Sequence, residues 1–123
     1  MNSIKEIREF LTDSLIEHTP PLRIKKNNEE VFEVSGTKKA MQGKQLVDGF
    51  YFASVVSKPK DTRLYFFPIY TNPALFDFIS PELRKCLKGK SCFHFKKLTE
   101  ELQTEIKIMI KKGIQIYSQE DLI

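Results

Sequence analysis

A chain of 123 residues, 41% apolar and 29% charged, has the size and composition of one globular domain. Two cysteines exclude a disulfide framework, and the apolar runs near Phe50–Val56 and Tyr65–Tyr70 are far too short to span a membrane. The formal net charge of +4 is unevenly spread: residues 19–97 hold fifteen basic and seven acidic side chains, while the segments before and after them are each net acidic. The sharpest basic block, Arg84 to Lys97, has six Lys or Arg and no acid.

The chain opens as MNSIKEIREFL, amphipathic and charged at once, without the apolar centre of a secretory leader. With two unpaired cysteines, the expectation is a cytoplasmic protein with reduced thiols. Ser3 and Glu6 form a capping box, and Ile4, Ile7, Leu11 and Leu15 follow at helical spacing. Thr19-Pro20-Pro21 ends that helix.

From about Glu30 to Ile69 the period switches to two. Val31–Val34 reads as a short strand closed by Ser35-Gly36, and Lys38–Gln45 as a strand interrupted near Gly43. Asp48–Ser57 is the firmest strand, rich in aromatic and β-branched residues. Lys58–Asp61 turns the chain into Arg63–Ile69. Such short connections predict antiparallel pairing. On Arg63–Ile69, Leu64, Phe66 and Pro68 point one way, and Tyr65, Phe67 and Ile69 the other. A strand that is apolar on both faces predicts a second sheet face covered by helices, a partner subunit or a ligand.

Asn72-Pro73 and Ser80-Pro81 each place a capping side chain before a proline, predicting short helices over Pro73–Ile79 and Pro81–Leu87. Lys88-Gly89-Lys90 turns into a strand, Ser91–Lys97. Thr99 then caps a long helix to about Tyr117, whose buried side is Leu102, Ile106, Met109, Ile110 and Gly113. The whole predicts a single α+β domain, with a curved, mainly antiparallel sheet of four to six strands packed with N- and C-terminal helices.

The segment Lys88-Gly89-Lys90-Ser91-Cys92-Phe93-His94-Phe95-Lys96-Lys97-Leu98, followed by an amphipathic helix, resembles the C-terminal signature of the bacterial YdhG-like family of unknown function. Tyr65-Phe66-Phe67-Pro68 and Gly49-Phe50 fit the same pattern, so the resemblance spans roughly residues 30–117. Where that family carries a Trp-Gly-Met-Pro-like segment, this chain has Val34-Ser35-Gly36-Thr37. The resemblance implies a compact α+β domain with helices backing a curved sheet. Through relatives described as frataxin-like iron chaperones, it also implies weakly bound iron as an alternative cofactor. The acidic row Glu6, Glu9, Asp13 and Glu17, at spacings of three, four and four along the first helix, is the local feature that fits that role.

The chemistry-bearing motifs are incomplete. Gly89-Lys90-Ser91 ends like a phosphate-binding loop, but Arg84 stands where the first glycine belongs and a strand follows instead of a helix. Cys86, Cys92 and His94 fall short of a zinc set, the only other histidine being His18. No nucleophile is paired with a base, which predicts a non-enzymatic protein. Arg84, Lys85, Lys88, Lys90, Lys96 and Lys97 form a basic patch interleaved with Phe93 and Phe95, the composition of a nucleic-acid or polyanion surface. Those phenylalanines alternate with Cys92 and His94, however, and so read as the core side of a strand. The sequence therefore predicts a cofactor-free binding domain for a small ligand or protein partner, with a second copy of the chain among the possible partners. The expected cleft or interface is bordered by Tyr51, Tyr65, Tyr70, Asn72 and His94.

Overall fold

The computed structural model describes residues 1–123. Helix α1 (Ile4–Ile16) is followed by strands β1 (Arg23–Asn27), β2 (Val31–Ser35), β3 (Lys39–Gln42), β4 (Gln45–Asp48), β5 (Tyr51–Ser57) and β6 (Thr62–Phe66). Next come a short helix α2 (Phe67–Thr71), a 3₁₀ turn (Pro73–Phe76), helix α3 (Pro81–Cys86), strands β7 (Leu87–Lys88) and β8 (Cys92–Phe95), and helix α4 (Glu100–Gln119). Six strands form one antiparallel sheet in the order β1-β2-β5-β6-β8-β7, and β3 and β4 form a separate hairpin. This is the predicted α+β class, with helices at both ends of the chain. No helix is long and apolar enough to cross a membrane.

Ser3 and Thr99 cap the two long helices as expected, but the Glu6 side chain makes no return bond to the Ser3 N–H, so only half of the capping box forms. Ser3 accepts from the Glu6 N–H at 3.2 Å, and Thr99 accepts from the Leu102 N–H at the same distance. Ile7, Leu11 and Leu15 of α1 and Ile106, Met109, Ile110 and Gly113 of α4 are buried, while Leu102 is only partly so. They join one core with Phe32, Val34, Ala53, Val55, Leu64, Phe66, Phe93 and Phe95. The register puts these strand residues in adjacent rows: Phe32, Val55, Leu64 and Phe93 in one, Val34, Ala53 and Phe66 in the next. Each such buried aliphatic or aromatic side chain stabilises the fold by about 1.5–3 kcal/mol. All of these strand residues share one face, and α1 and α4 both pack on it and touch each other.

A register shift between Val34 and Ser35 leaves Phe52 without a partner on β2. At this bulge Phe52 and Ala53 are both fully buried. Phe52 meets Phe66 and Tyr117 edge to face, at ring-centroid distances of 5.6 and 5.0 Å.

Several boundaries differ from the sequence reading. Lys38–Gln45 is not one strand but the first half of the β3–β4 hairpin, with Gly43 at φ 64° in its turn. Asp48 closes β4, and the next strand starts at Tyr51. The strand beginning near Arg63 stops at Phe66 instead of Ile69, because Pro68 cannot donate to a ladder and its fixed φ suits a helix start. Pro68 and Ile69 are therefore buried in a helical turn and are not opposite faces of a strand. Ser80 caps α3 by accepting from the Leu83 N–H at 3.1 Å, but Asn72 makes no capping bond, and only Pro73–Phe76 is helical after it. The strand expected over Ser91–Lys97 narrows to Cys92–Phe95. Strand β1, polar and largely exposed, lacks the alternation that reveals a strand.

Candidate functional site

The face of the sheet opposite both helices is left uncovered. Glu33, Ser54, Tyr65 and Cys92 lie side by side across β2, β5, β6 and β8, and Lys88 of β7 pairs with Cys92. The next row is Val31, Val56, Arg63 and His94. Apart from Ser54, which is buried, and Lys88, which is exposed, these side chains are half-buried. The bulge turns Tyr51 to this side, where its hydroxyl pairs with Ser54 Oγ at 2.7 Å. The Tyr51 ring lies 5.5 Å from Phe67, and Phe67 stacks on Tyr70 at 5.3 Å. Lys90 Nζ sits 6.0 Å above the Tyr70 ring.

At one end of the face stands Asp61, from the β5–β6 turn. Its carboxylate accepts from Arg63 Nε at 3.1 Å and lies 3.6 Å from His94 Nδ1. Its side chain is only 11% exposed, so it depends on these two partners to offset the loss of water. The pairing leaves Nε2 as the free nitrogen of His94. The Tyr65 hydroxyl stands beside Arg63 and Cys92.

Burial pushes the Tyr51 phenol up to about 12, against the lowering effect of its bond to Ser54. It also raises the Cys92 thiol, with the Tyr65 hydroxyl opposing, and the Cys86 thiol, with Lys88 opposing. Both cysteines are free, and raised thiols of this kind are poor nucleophiles near neutral pH.

At the β8 edge the face runs into a cleft of about 480 Å³, where Lys85, Lys88, Lys96 and Lys97 surround His94 and Asp61. A larger groove of about 1010 Å³ adjoins it along the starts of α3 and α4, lined by Glu82, Glu100, Glu101 and Glu105. Lys97 and Leu102 border both. Within the groove, the Glu105 carboxylate accepts from the Ser80 N–H at 2.5 Å and from the Ser80 hydroxyl at 2.6 Å.

The residues singled out in the sequence are thus partly gathered. The register brings Tyr51, Tyr65 and His94 onto one surface, and Phe67 links Tyr70 to it. Asn72 is engaged with its neighbour Thr71, its side-chain amide donating at 2.9 Å. Of the basic block, Lys85, Lys88, Lys96 and Lys97 line the cleft, Lys90 covers Tyr70, and Arg84 donates to the Phe76 carbonyl at 3.0 Å. Phe93 and Phe95 are fully buried and offer no stacking surface to a nucleic acid. Glu6, Glu9, Asp13 and Glu17 are exposed along α1, and Glu17 pairs with Lys107 at 3.0 Å. They do not converge, and no group of three or more His, Cys, Asp or Glu side chains is placed to hold a metal ion.

Asp61 and Arg63 were absent from the sequence reading of the site. Their spacing of two places a carboxylate and a guanidinium on one side of a strand start, but only the β6–β8 register brings His94 to them. No protein-family model, curated protein or solved structure matches the chain.

Proposed function

We propose that this chain is a non-enzymatic binding domain that seats a small ligand on the uncovered sheet face around Tyr65. The observation that carries this reading is the cluster of Asp61, Arg63 and His94 at one end of the face, with Tyr65 next to Arg63 and Tyr51 further along it beyond Ser54. Aromatic bodies with a few fixed polar groups are the usual lining of a small-molecule site. Arg63 in the outermost row of this face and Asp61 at its rim supply fixed charges that would orient a polar ligand. Burial that raises the Cys92 and Cys86 thiols, outweighing Tyr65 and Arg63 at the first and Lys88 at the second, supports binding over covalent chemistry. The two free thiols also support a reducing compartment such as the cytoplasm.

The test is amide chemical-shift mapping by NMR with a library of small aromatic acids. Perturbations should cluster at Tyr51, Arg63, Tyr65, Cys92 and His94, and Tyr65→Ala should abolish them without unfolding the chain. Sedimentation run in parallel should show a monomer. A concentration-dependent dimer that Tyr65→Asp dissociates would make the face a seam and overturn the reading, as would hits confined to another surface.

A further inference from the structure

The cleft at the β8 edge carries an inference about ligand chemistry, resting on the reading above because the cleft and the face share His94. Lys85 comes from α3, Lys88 from β7, and Lys96 and Lys97 from the segment leaving β8. Separate elements therefore contribute four lysines to the lining of one concavity of about 480 Å³. Lys85, Lys88, Lys96 and Lys97 form no ion pair within the chain, while Asp61, the carboxylate at the cleft floor, is already held by Arg63 and His94. The cleft thus has four uncommitted cations and one carboxylate whose charge is met from behind.

We infer that this cleft binds a compact, multiply charged anion, a phosphate or diphosphate group, and that Lys88 and Lys96 are its principal contacts. The volume suits one or two phosphoryl groups with part of a carrier. Lysine ammoniums are suited to phosphate as mobile point charges with three donors each. An extended polyanion fits less well, for two reasons. Arg84 is tied to the Phe76 carbonyl and the block's phenylalanines are buried, so the basic stripe has neither its arginine nor its stacking surface free. A chain of phosphates leaving the cleft past Lys97 would also run onto Glu82, Glu100 and Glu101 in the adjoining groove. Their repulsion acts over about 8 Å at physiological ionic strength, which excludes a long strand but not a compact anion.

The experiment is calorimetric titration of the full chain with sodium pyrophosphate and with inorganic phosphate, at about 50 and 300 mM salt, using sulfate as the competitor of lower charge. Pyrophosphate should bind most tightly and weaken several-fold at the higher salt. Lys88→Gln and Lys96→Gln should each lower its affinity roughly five- to tenfold, a loss of about 1–1.4 kcal/mol per contact. Controls removing the same single charge elsewhere, Lys5→Gln or Lys112→Gln, should each leave affinity within about twofold. Circular dichroism checks that each surface variant is folded.

Equal losses in the control and cleft variants would reduce the effect to net charge and overturn the site. No pyrophosphate binding at low salt would overturn it directly. A single-stranded RNA or a DNA duplex that displaces pyrophosphate and loses affinity much more steeply with salt would overturn it in favour of a nucleic-acid surface. The two proposals fail separately. Aromatic acids that map to Tyr51 and Tyr65, while pyrophosphate leaves the Lys88 and Lys96 amides unmoved, sink the anion site alone. Pyrophosphate binding without any aromatic hit on the face sinks the other.

Discussion

Gly113 is the position where the packing that leaves one sheet face bare can be tested by a single methyl group. It lies in the middle of α4, where glycine costs about 1 kcal/mol relative to alanine in helix propensity. On propensity alone, Gly113→Ala should stabilise the protein by that amount. The surroundings argue the other way. A Cβ at this position would lie 2.8 Å from Phe66 Cζ, 3.0 Å from Pro68 Cγ and 3.1 Å from Phe52 Cζ. These ring tips cannot swing aside freely. Phe52 is set edge-on to both Phe66 and Tyr117, and Phe66 is set edge-on to Phe76 at 5.5 Å. Either α4 lifts off the sheet by a few tenths of an ångström, or several rings leave their wells, an overpacking cost of about 2–3 kcal/mol. Subtracting the propensity gain leaves an expected net loss of about 1–2 kcal/mol. At this chain length that corresponds to a Tm lower by roughly 4–8 °C. Urea unfolding with an unchanged m-value, checked by thermal melting, measures it. A Gly113→Ala protein as stable as the parent, or more so, would refute the claim that glycine is there for close helix–sheet approach.

Two further outcomes follow from the polar interior. Burial raises the phenols of both Tyr51, to about 12, and Tyr117, so each gives up its proton more readily in the unfolded chain, near pH 10, than in the folded one. The folded state then holds more protons above pH 10, so stability is fully present below that pH and falls as the pH rises towards 12, by up to about 2–3 kcal/mol for Tyr51. Urea midpoints at pH 8, 10 and 11 check this, and a flat profile would contradict it. Glu105→Ala should cost about 1–3 kcal/mol by stranding the Ser80 N–H and hydroxyl at the start of α3, with Glu105→Gln recovering part of the loss. Equal melting temperatures for the alanine variant and the parent would show that Ser80 finds water instead.

The two long helices were legible because cap and stripe agree: Ser3 and Thr99 lie at the starts of periodic apolar runs that the fold buries. The strongest strands were legible for the same reason. The end of β6 was not, since the aromatic run Tyr65–Phe67 continues strand-like composition into a segment where Pro68 dictates a helical turn. β1 escaped because, as an edge strand, its only partner is β2 and its side chains face water, so it carries no burial pattern. Alternation set Tyr65 and His94 each on the side of its own strand away from core neighbours, and the β6–β8 register places those two sides on one face. Which residues meet them was not, because Asp61 reaches His94 through a register that depends on where the β5–β6 turn and β8 place their strands.

That register also changes the argument for why the second face matters. A strand apolar on both sides predicts that something must cover it, yet neither helix does. Part of the answer is that the strand ends early, which removes Ile69 from the face. The rest is that the rings partly shield one another: Phe67 lies between Phe50, Tyr51 and Tyr70, with centroids 5.3–5.6 Å apart, so part of each ring meets another ring instead of water, although Tyr70 stays 49% exposed. Apolar area alone therefore does not demand an occupant here. What self-shielding leaves unexplained is the fixed polar cluster. A nearly buried carboxylate is costly to place, and an apolar or hydroxyl side chain at position 61 would turn the chain without that cost. Asp61 spends it to hold Arg63 and orient His94, two groups with donors beyond those that Asp61 engages. Polar order of that kind, placed where the aromatic rows meet the lysine cleft, is the reason to read this surface as one that recognises a ligand.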